Sequence, residues 1–276
     1  MNKFTPIAIK KIQKNKNTEA FMKIIKEVDL MHQVKHPKLV HFYGFWKDEK
    51  NKCICLIMDL CNGGDLSSYL HRNNKSDYEL NMTQRFEILK DVIEGITQFH
   101  SLNIVHRDIK CDNVLISDKI NETGSPFKAF LSDYGESIEI NQLEKLKNEK
   151  NSIDELLWSD YNGTIQYASP EILEGDLRKL SIKSDIYSLG SVIYEIFTEI
   201  IPYVETKIDG FLLSLKIMNE KIKPNTSKFI ENTPQEIKDL IKKCWNEKPD
   251  DRPNIEVIQN MIIQIQKQYK FTNDFS

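Results

Sequence analysis

Two adjacent glycines, Gly63 and Gly64, divide this chain into two kinds of hydrophobic pattern, and that division limits its fold more than any other feature. Before them come short β-branched and aromatic runs. Residues 7–12 (IAIKKI), 39–46 (LVHFYGFW) and 53–60 (CICLIMDL) have the length and composition of strands, with Asn51 in the turn between the last two. Between the first two runs, Phe21, Ile24, Ile25, Val28 and Met31 recur at helical spacing over residues 18–34. After the glycines the apolar period becomes helical. Phe86, Leu89, Val92, Ile93, Ile96 and Phe99 make one stripe. Ile186, Leu189, Val192, Ile193, Ile196 and Phe197 make another, in a segment apolar on most sides and so expected to be buried. Strand-rich then helix-rich order predicts an α+β protein in two lobes, divided near residues 60–64. Polar residues 117–126 and 139–162 read as loops; Leu156, Leu157 and Trp158 are apolar enough to dock or to form a short helix.

The chain has 276 residues, enough for one large domain or two small ones with a substantial core. Its net charge of -3, with 29% charged residues, argues against general nucleic-acid binding, which needs a basic surface. Lys10, Lys11, Lys14 and Lys16 have acids nearby and read as a solvated face. No stretch approaches the ~18 apolar residues of a membrane span. The first residues lack the apolar region of a signal peptide, which predicts an intracellular, cytoplasmic protein. The five cysteines (Cys53, Cys55, Cys61, Cys111, Cys244) are an odd set without zinc spacing and predict reduced, structural thiols, with Cys53 and Cys55 on one face of a strand. Nothing in the sequence specifies an oligomeric state.

Residues 106–113 read HRDIKCDN, and twenty residues past Asn113 comes Asp133-Tyr134-Gly135. Asp108 can take a proton from a hydroxyl, and Asn113 and Asp133 carry the hard oxygens that Mg²⁺ requires. The two motifs resemble the catalytic loop and the metal-binding motif of protein kinases. The resemblance implies a bilobal protein-kinase fold, with a small β-rich N-lobe and its αC helix over residues 1–60 and a larger, mainly helical C-lobe over residues 61–276, together one domain. It also implies transfer of the γ-phosphate of ATP, with Mg²⁺, to serine or threonine hydroxyls of a protein substrate in intracellular signalling. In that scheme Asp108 takes the hydroxyl proton, Lys110 neutralises charge developing at the γ-phosphate, and Asn113 and Asp133 bind metal.

The rest of the chain carries the same resemblance. Residues 7–10 (IAIK) are similar to the family's lysine strand, so Lys10 would contact the α- and β-phosphates and pair with Glu27, with Glu19 as the alternative partner nearer the helix start. Residues 54–66 resemble the segment that holds adenine. Met58 would be the gatekeeper, and the Asp59 carbonyl and Cys61 amide would read the adenine edge. Ala8 and Leu115 would sandwich the ring. Asp65 would face the ribose, cap the helix that starts at Leu66, or do both. Thr164 in GTIQYASPE would contact Asp108 and Lys110. Asp185 in KSDIYSLG would fix the catalytic-loop backbone. Arg252 in CWNEKPDDRP would pair with Glu171, and this last motif points to the tyrosine-kinase-like group, whose members mostly phosphorylate serine and threonine.

One part of the family pattern is missing. The glycine-rich loop normally precedes the lysine strand and covers the phosphates, yet only six residues precede Ile7 and none is glycine. The expectation is an N-terminally truncated kinase domain that lacks the first two strands. A genuinely short, weakly active enzyme and a pseudokinase serving as a nucleotide-binding or protein-interaction module stand as alternatives. Within the segment from Asp133 to Glu171, Ser159 or Tyr161 is expected to be a regulatory phosphorylation site, with Ser152 a further hydroxyl in the segment and Arg107 as the phosphate's partner.

Overall fold

The computed structural model describes residues 6–13, 18–48, 50–51, 53–72, 79–118, 128–142, 164–175, 179–208 and 210–273. Three of the early runs form one antiparallel sheet: β1 (Ile7–Gln13), β2 (Phe42–Asp48) and β3 (Cys53–Asp59), in the order β1-β3-β2. The central strand is the most apolar of the three, and Leu56 within it is fully buried. Register places Ala8 opposite Met58 and Lys10 opposite Leu56, so these four side chains share a face. Helix α1 (Thr18–Gln33) follows β1 and buries Ile24, Leu30 and Met31; the His32 ring meets Phe42 of β2 edge-on at 5.3 Å.

The strand expected at residues 39–46 is displaced. Leu39 instead forms a parallel bridge with Leu131, the Val40 amide donates to the Leu131 carbonyl at 3.1 Å, and Leu131 returns a bond to the Lys38 carbonyl at 3.0 Å. Local β-propensity is satisfied there by a distant segment, and the sheet strand starts only at Phe42.

Gly63 sits where backbones meet closely: a Cβ there would lie 2.7 Å from the Ile116 Cβ and 2.8 Å from the Asp118 carbonyl oxygen. Past it, β4 (Gly64–Asp65), β6 (Val114–Ile116) and β7 (Ala129–Leu131) form a second small sheet in the order β4-β6-β7, and β5 (Ile104–Val105) pairs with β8 (Ile138–Glu139). Glu139 thus belongs to a strand, and residues 143–163, with Leu156, Leu157 and Trp158, lie outside the described residues. The helices that follow α1 include α2 (Leu66–Leu70), α3 (Met82–Ser101), α4 (Pro170–Leu173), α5 (Ile182–Thr198), α6 (Gly210–Leu215), α7 (Gln235–Cys244) and α8 (Ile255–Asn273).

The two predicted stripes lie on α3 and α5. Phe86, Leu89, Val92, Ile93, Ile96 and Phe99 of α3 are fully buried. A capping box at Asn81 and Gln84 starts that helix, each side chain taking the other's amide at 2.9 Å. All six stripe residues of α5 are buried, and one contiguous core runs from Ile24 and Leu56 through both helices to Ile258 of α8. All five cysteines are free thiols, and the Cys53 and Cys55 sulfurs lie 3.9 Å apart on β3. Among the described residues no helix is long and apolar enough to cross a membrane.

Candidate active site

The loop between β5 and β6 is held by a carboxylate from a distant helix. Asp185, in the first turn of α5, is fully buried; its two oxygens accept the His106 and Arg107 amides at 2.9 and 3.0 Å. One of them also lies 3.0 Å from His100 Nε2. These bonds hold Arg107 in the left-handed region at φ +68°. His106 is fully buried, and burial pushes its pKa down, so the ring is neutral. Its Nδ1 accepts the Asp108 amide at 3.3 Å.

That backbone presents Asp108 to a set of donors. Asn113 Nδ2 bonds the Asp108 carboxylate at 2.8 Å and its carbonyl at 2.7 Å, and Lys110 Nζ lies 2.8 Å from the same carboxylate oxygen. Both side-chain donors converge on Oδ2, so Oδ1 is the oxygen better placed to take a proton. Lys110 also donates to Thr164 Oγ1 at 2.9 Å, which brings the segment before α4 to the loop.

Asn113 and Asp133 reach one place because β6 and β7 pair, Val114 opposite Leu131. Asn113 directly precedes β6, and Asp133 follows β7 by two residues. Ser132 fastens the two ends, its amide and hydroxyl both bonding the Asn113 carbonyl at 2.9 Å. Asp133 takes φ +61° and directs its carboxylate at Lys10 of β1. Lys10 Nζ lies 2.8 Å from Glu27 of α1 and 3.2 Å from Asp133. Burial opposes charge on Lys10 and Asp133, but the attraction of opposite charges wins: Lys10 is held above its ordinary value and Asp133 below.

The donor set fits a hard divalent cation. Asn113 spends its amide N–H groups on Asp108, which turns its side-chain carbonyl oxygen into the group it could offer a cation, and Asp133 is half-exposed. Among the described residues there is no cluster of three or more His, Cys, Asp or Glu side chains that could hold a metal. Asn113 and Asp133 would each offer such a cation an oxygen, the kind of ligand that suits Mg²⁺.

On the side expected to hold adenine, Ala8 and Met58 share a face of the first sheet, and Leu115 stands opposite Asp65 in the second. The Asp59 amide bonds the His41 carbonyl at 3.0 Å. Burial pushes the half-buried Cys61 thiol up to about 11, which makes it a poor nucleophile. Asp65 caps α2: its carboxylate accepts the Ser68 amide at 2.6 Å and the Ser68 hydroxyl at 2.8 Å. Ser152, Ser159 and Tyr161 lie outside the described residues.

Sequence reasoning missed two features. Glu195 is a fully buried carboxylate of α5, bonded by the Tyr167 hydroxyl and 2.8 Å from His71 Nε2. In the sequence it is one acid in an otherwise apolar run, with its partners 28 and 124 residues away. The other is the setting of Tyr134, whose ring stands edge-on to Phe99 at 5.1 Å and to His106 at 6.2 Å.

A family model described as the protein kinase domain matches residues 2–262. The chain belongs to the protein kinase domain family. It is 30% identical over 270 residues to "Probable serine/threonine-protein kinase gdt2" of Dictyostelium discoideum, which covers 98% of this chain but 15% of that protein. It is 28% identical over 273 residues to "Stress-activated protein kinase alpha" of the same organism (96% of this chain, 39% of the relative). It is likewise 28% identical over 239 residues to "Dual specificity protein kinase zakA" (82% and 28%). The chain thus spans only 15% to 39% of the length of these relatives. In this protein kinase domain the expected Glu171–Arg252 pair is present and bidentate, at 2.6 and 2.8 Å, with both side chains buried.

Proposed function

We propose that this domain transfers the γ-phosphate of ATP, with Mg²⁺, to serine or threonine hydroxyls of a protein substrate. The observation that carries the proposal is the Lys10 ammonium held between Glu27 at 2.8 Å and Asp133 at 3.2 Å, beside a loop that presents Asp108. Lys10 binds the α- and β-phosphates, with Glu27 holding its position. Asp108 orients the incoming hydroxyl and takes its proton. Lys110 stands beside Asp108 and stabilises negative charge at the group being transferred. Asn113 and Asp133 hold the metal, which when bound neutralises phosphate charge. Met58, the Asp59 carbonyl, the Cys61 amide, Ala8 and Leu115 bind the adenine, and Asp65 faces the ribose while capping α2.

The finer placement follows the same reasoning. The Lys110–Thr164 contact favours serine and threonine acceptors, and CWNEKPDDRP favours the tyrosine-kinase-like group. Residues 1–60 act as the small lobe and 61–276 as the large one, in a cytoplasmic signalling protein.

Transfer of labelled phosphate from [γ-³²P]ATP to a generic Ser/Thr substrate tests this. The Asp108→Asn variant retains the Asn113 and Lys110 neighbours but has no base, and its rate should fall by at least ~10²-fold. Equal rates in both proteins would remove Asp108 from its role. Absence of transfer together with absence of Mg-ATP binding in a folded sample would favour the interaction-module alternative.

A further inference from the structure

Strand β2 carries a bulge near its start. Phe42 lies opposite Met58 and Gly44 opposite Ile57, so Tyr43 is an extra residue in the ladder. Such a residue has its side chain re-aimed out of the regular alternation. Here the Tyr43 hydroxyl donates to Asp59 Oδ1 at 2.7 Å, a short contact of the kind made to carboxylates. That bond holds the phenol above its ordinary pKa, so it stays a donor. The His41 ring stands edge-on to Tyr43 at 4.7 Å, and the His41 carbonyl accepts the Asp59 amide at 3.0 Å. The chain entering β2 thus grips Asp59 twice, by backbone and by side chain. Core packing does not account for the arrangement, because Tyr43 is 49% exposed.

Asp59 ends β3, and the chain is fixed again three residues on, where the Asn62 and Gly63 amides donate to the Ser117 and Ile116 carbonyls at 2.9 and 3.0 Å. Leu60 and Cys61 span the two fixed points. We infer that Tyr43 is a positioning residue for base selection: by holding Asp59 it fixes the carbonyl that meets the edge of the nucleotide base. The inference rests on the proposed function, in which the Asp59 carbonyl and the Cys61 amide read adenine. At that edge adenine offers the donor of its 6-amino group, whereas guanine offers a 6-carbonyl acceptor. A carbonyl held in place accepts from the first and repels the second. A carbonyl free to turn aside rejects guanine less well. Tyr43 acts through Asp59 to set the preference for ATP over GTP.

Tyr43→Phe removes the hydroxyl and keeps the ring. Without nucleotide, hydrogen exchange of the Asp59 amide should quicken about threefold to tenfold, the range expected for one net hydrogen bond. With Mg²⁺, displacement of a fluorescent ATP analogue should show the ratio of ATP to GTP affinity falling by about the same factor. Asp59→Ala should reproduce the loss of preference, and the double variant should lose no more than either single one, because each change removes the same bond. Unchanged exchange in Tyr43→Phe, an unchanged ratio, or additive losses in the double variant overturns the inference. General loosening of the fold would weaken both nucleotides alike, leave the ratio in place and so count against it. Failure of the proposed function shows instead in the native chain: one that binds neither nucleotide, or binds both alike, has no base reading by Asp59 for Tyr43 to set.

Discussion

Lys10 owes its position to two carboxylates that arrive from different parts of the chain. Glu27 is 6% exposed, so removing its cation leaves a buried carboxylate without compensation. Lys10→Met should lower folding stability by about 1–3 kcal/mol. Adding Glu27→Gln should recover most of that loss, because a neutral amide tolerates the site better. Lys10 is 39% exposed, so a coupling energy near ~1 kcal/mol is expected, toward the screened end of the range for contacting residues. Urea denaturation of the three variants measures it, and additive losses would leave the ion pair without a stabilising role. At this scale the sequence was partly legible. IAIK marked the lysine, while Glu19 and Glu27 both stood on the following helix as partners. The choice depended on which helical face meets β1, and Asp133, 123 residues further on, could be linked to Lys10 only through the family resemblance.

Elements were legible where one periodicity governed a whole segment. The stripes of α3 and α5 fall within the observed helices because burial on many sides demands apolar residues at every turn. The run at 39–46 was misplaced because the hydrogen bonds of Lys38 and Val40 go to Leu131, and local pattern carries no information about that partner. Packing between elements was hidden in the same way. Gly190 of α5 lies against α7: a Cβ there would stand 2.7 Å from the Cys244 Cβ and 3.0 Å from Trp245 Cδ1. In an isolated helix Gly→Ala stabilises by about 1 kcal/mol. Here overpacking opposes that gain at about 1–3 kcal/mol, so Gly190→Ala should lower Tm by a few degrees. A raised Tm in a thermal melt would mean that α5 and α7 part freely.

At the scale of the molecule, one buried ion pair joins the start of α4 to the chain just before α8. Burial by itself pushes the Glu171 pKa up, but the bidentate Arg252 guanidinium outweighs it and holds the carboxyl below its ordinary value. A carboxylate with a depressed folded-state pKa contributes stability that is present above its unfolded pKa and lost as pH falls through the folded value. Arg252→Met should destabilise the domain by about 3–5 kcal/mol at neutral pH, since Glu171 stays buried without its partner. The gap between variant and native chain should narrow as pH falls: without Arg252, burial raises the Glu171 pKa and the variant's carboxyl is protonated already above its ordinary range, and the native pair loses its contribution below that range. Denaturation at pH 7 and below pH 4 checks this, and a gap independent of pH would show that the loss comes from packing alone. The sequence by itself determined, through apolar period, the strand-rich start of the chain and the helical segments of α1, α3 and α5, and it singled out the short motifs that hold Asp108, Asn113 and Asp133, because those patterns depend on neighbours within a few residues. Only the tertiary structure decided which distant groups meet: Asp185 under the loop that carries Asp108, Asp133 against Lys10, and Glu195 beside Tyr167 and His71. Those contacts follow from how packed elements exclude water, and that exclusion is a property of the assembled core.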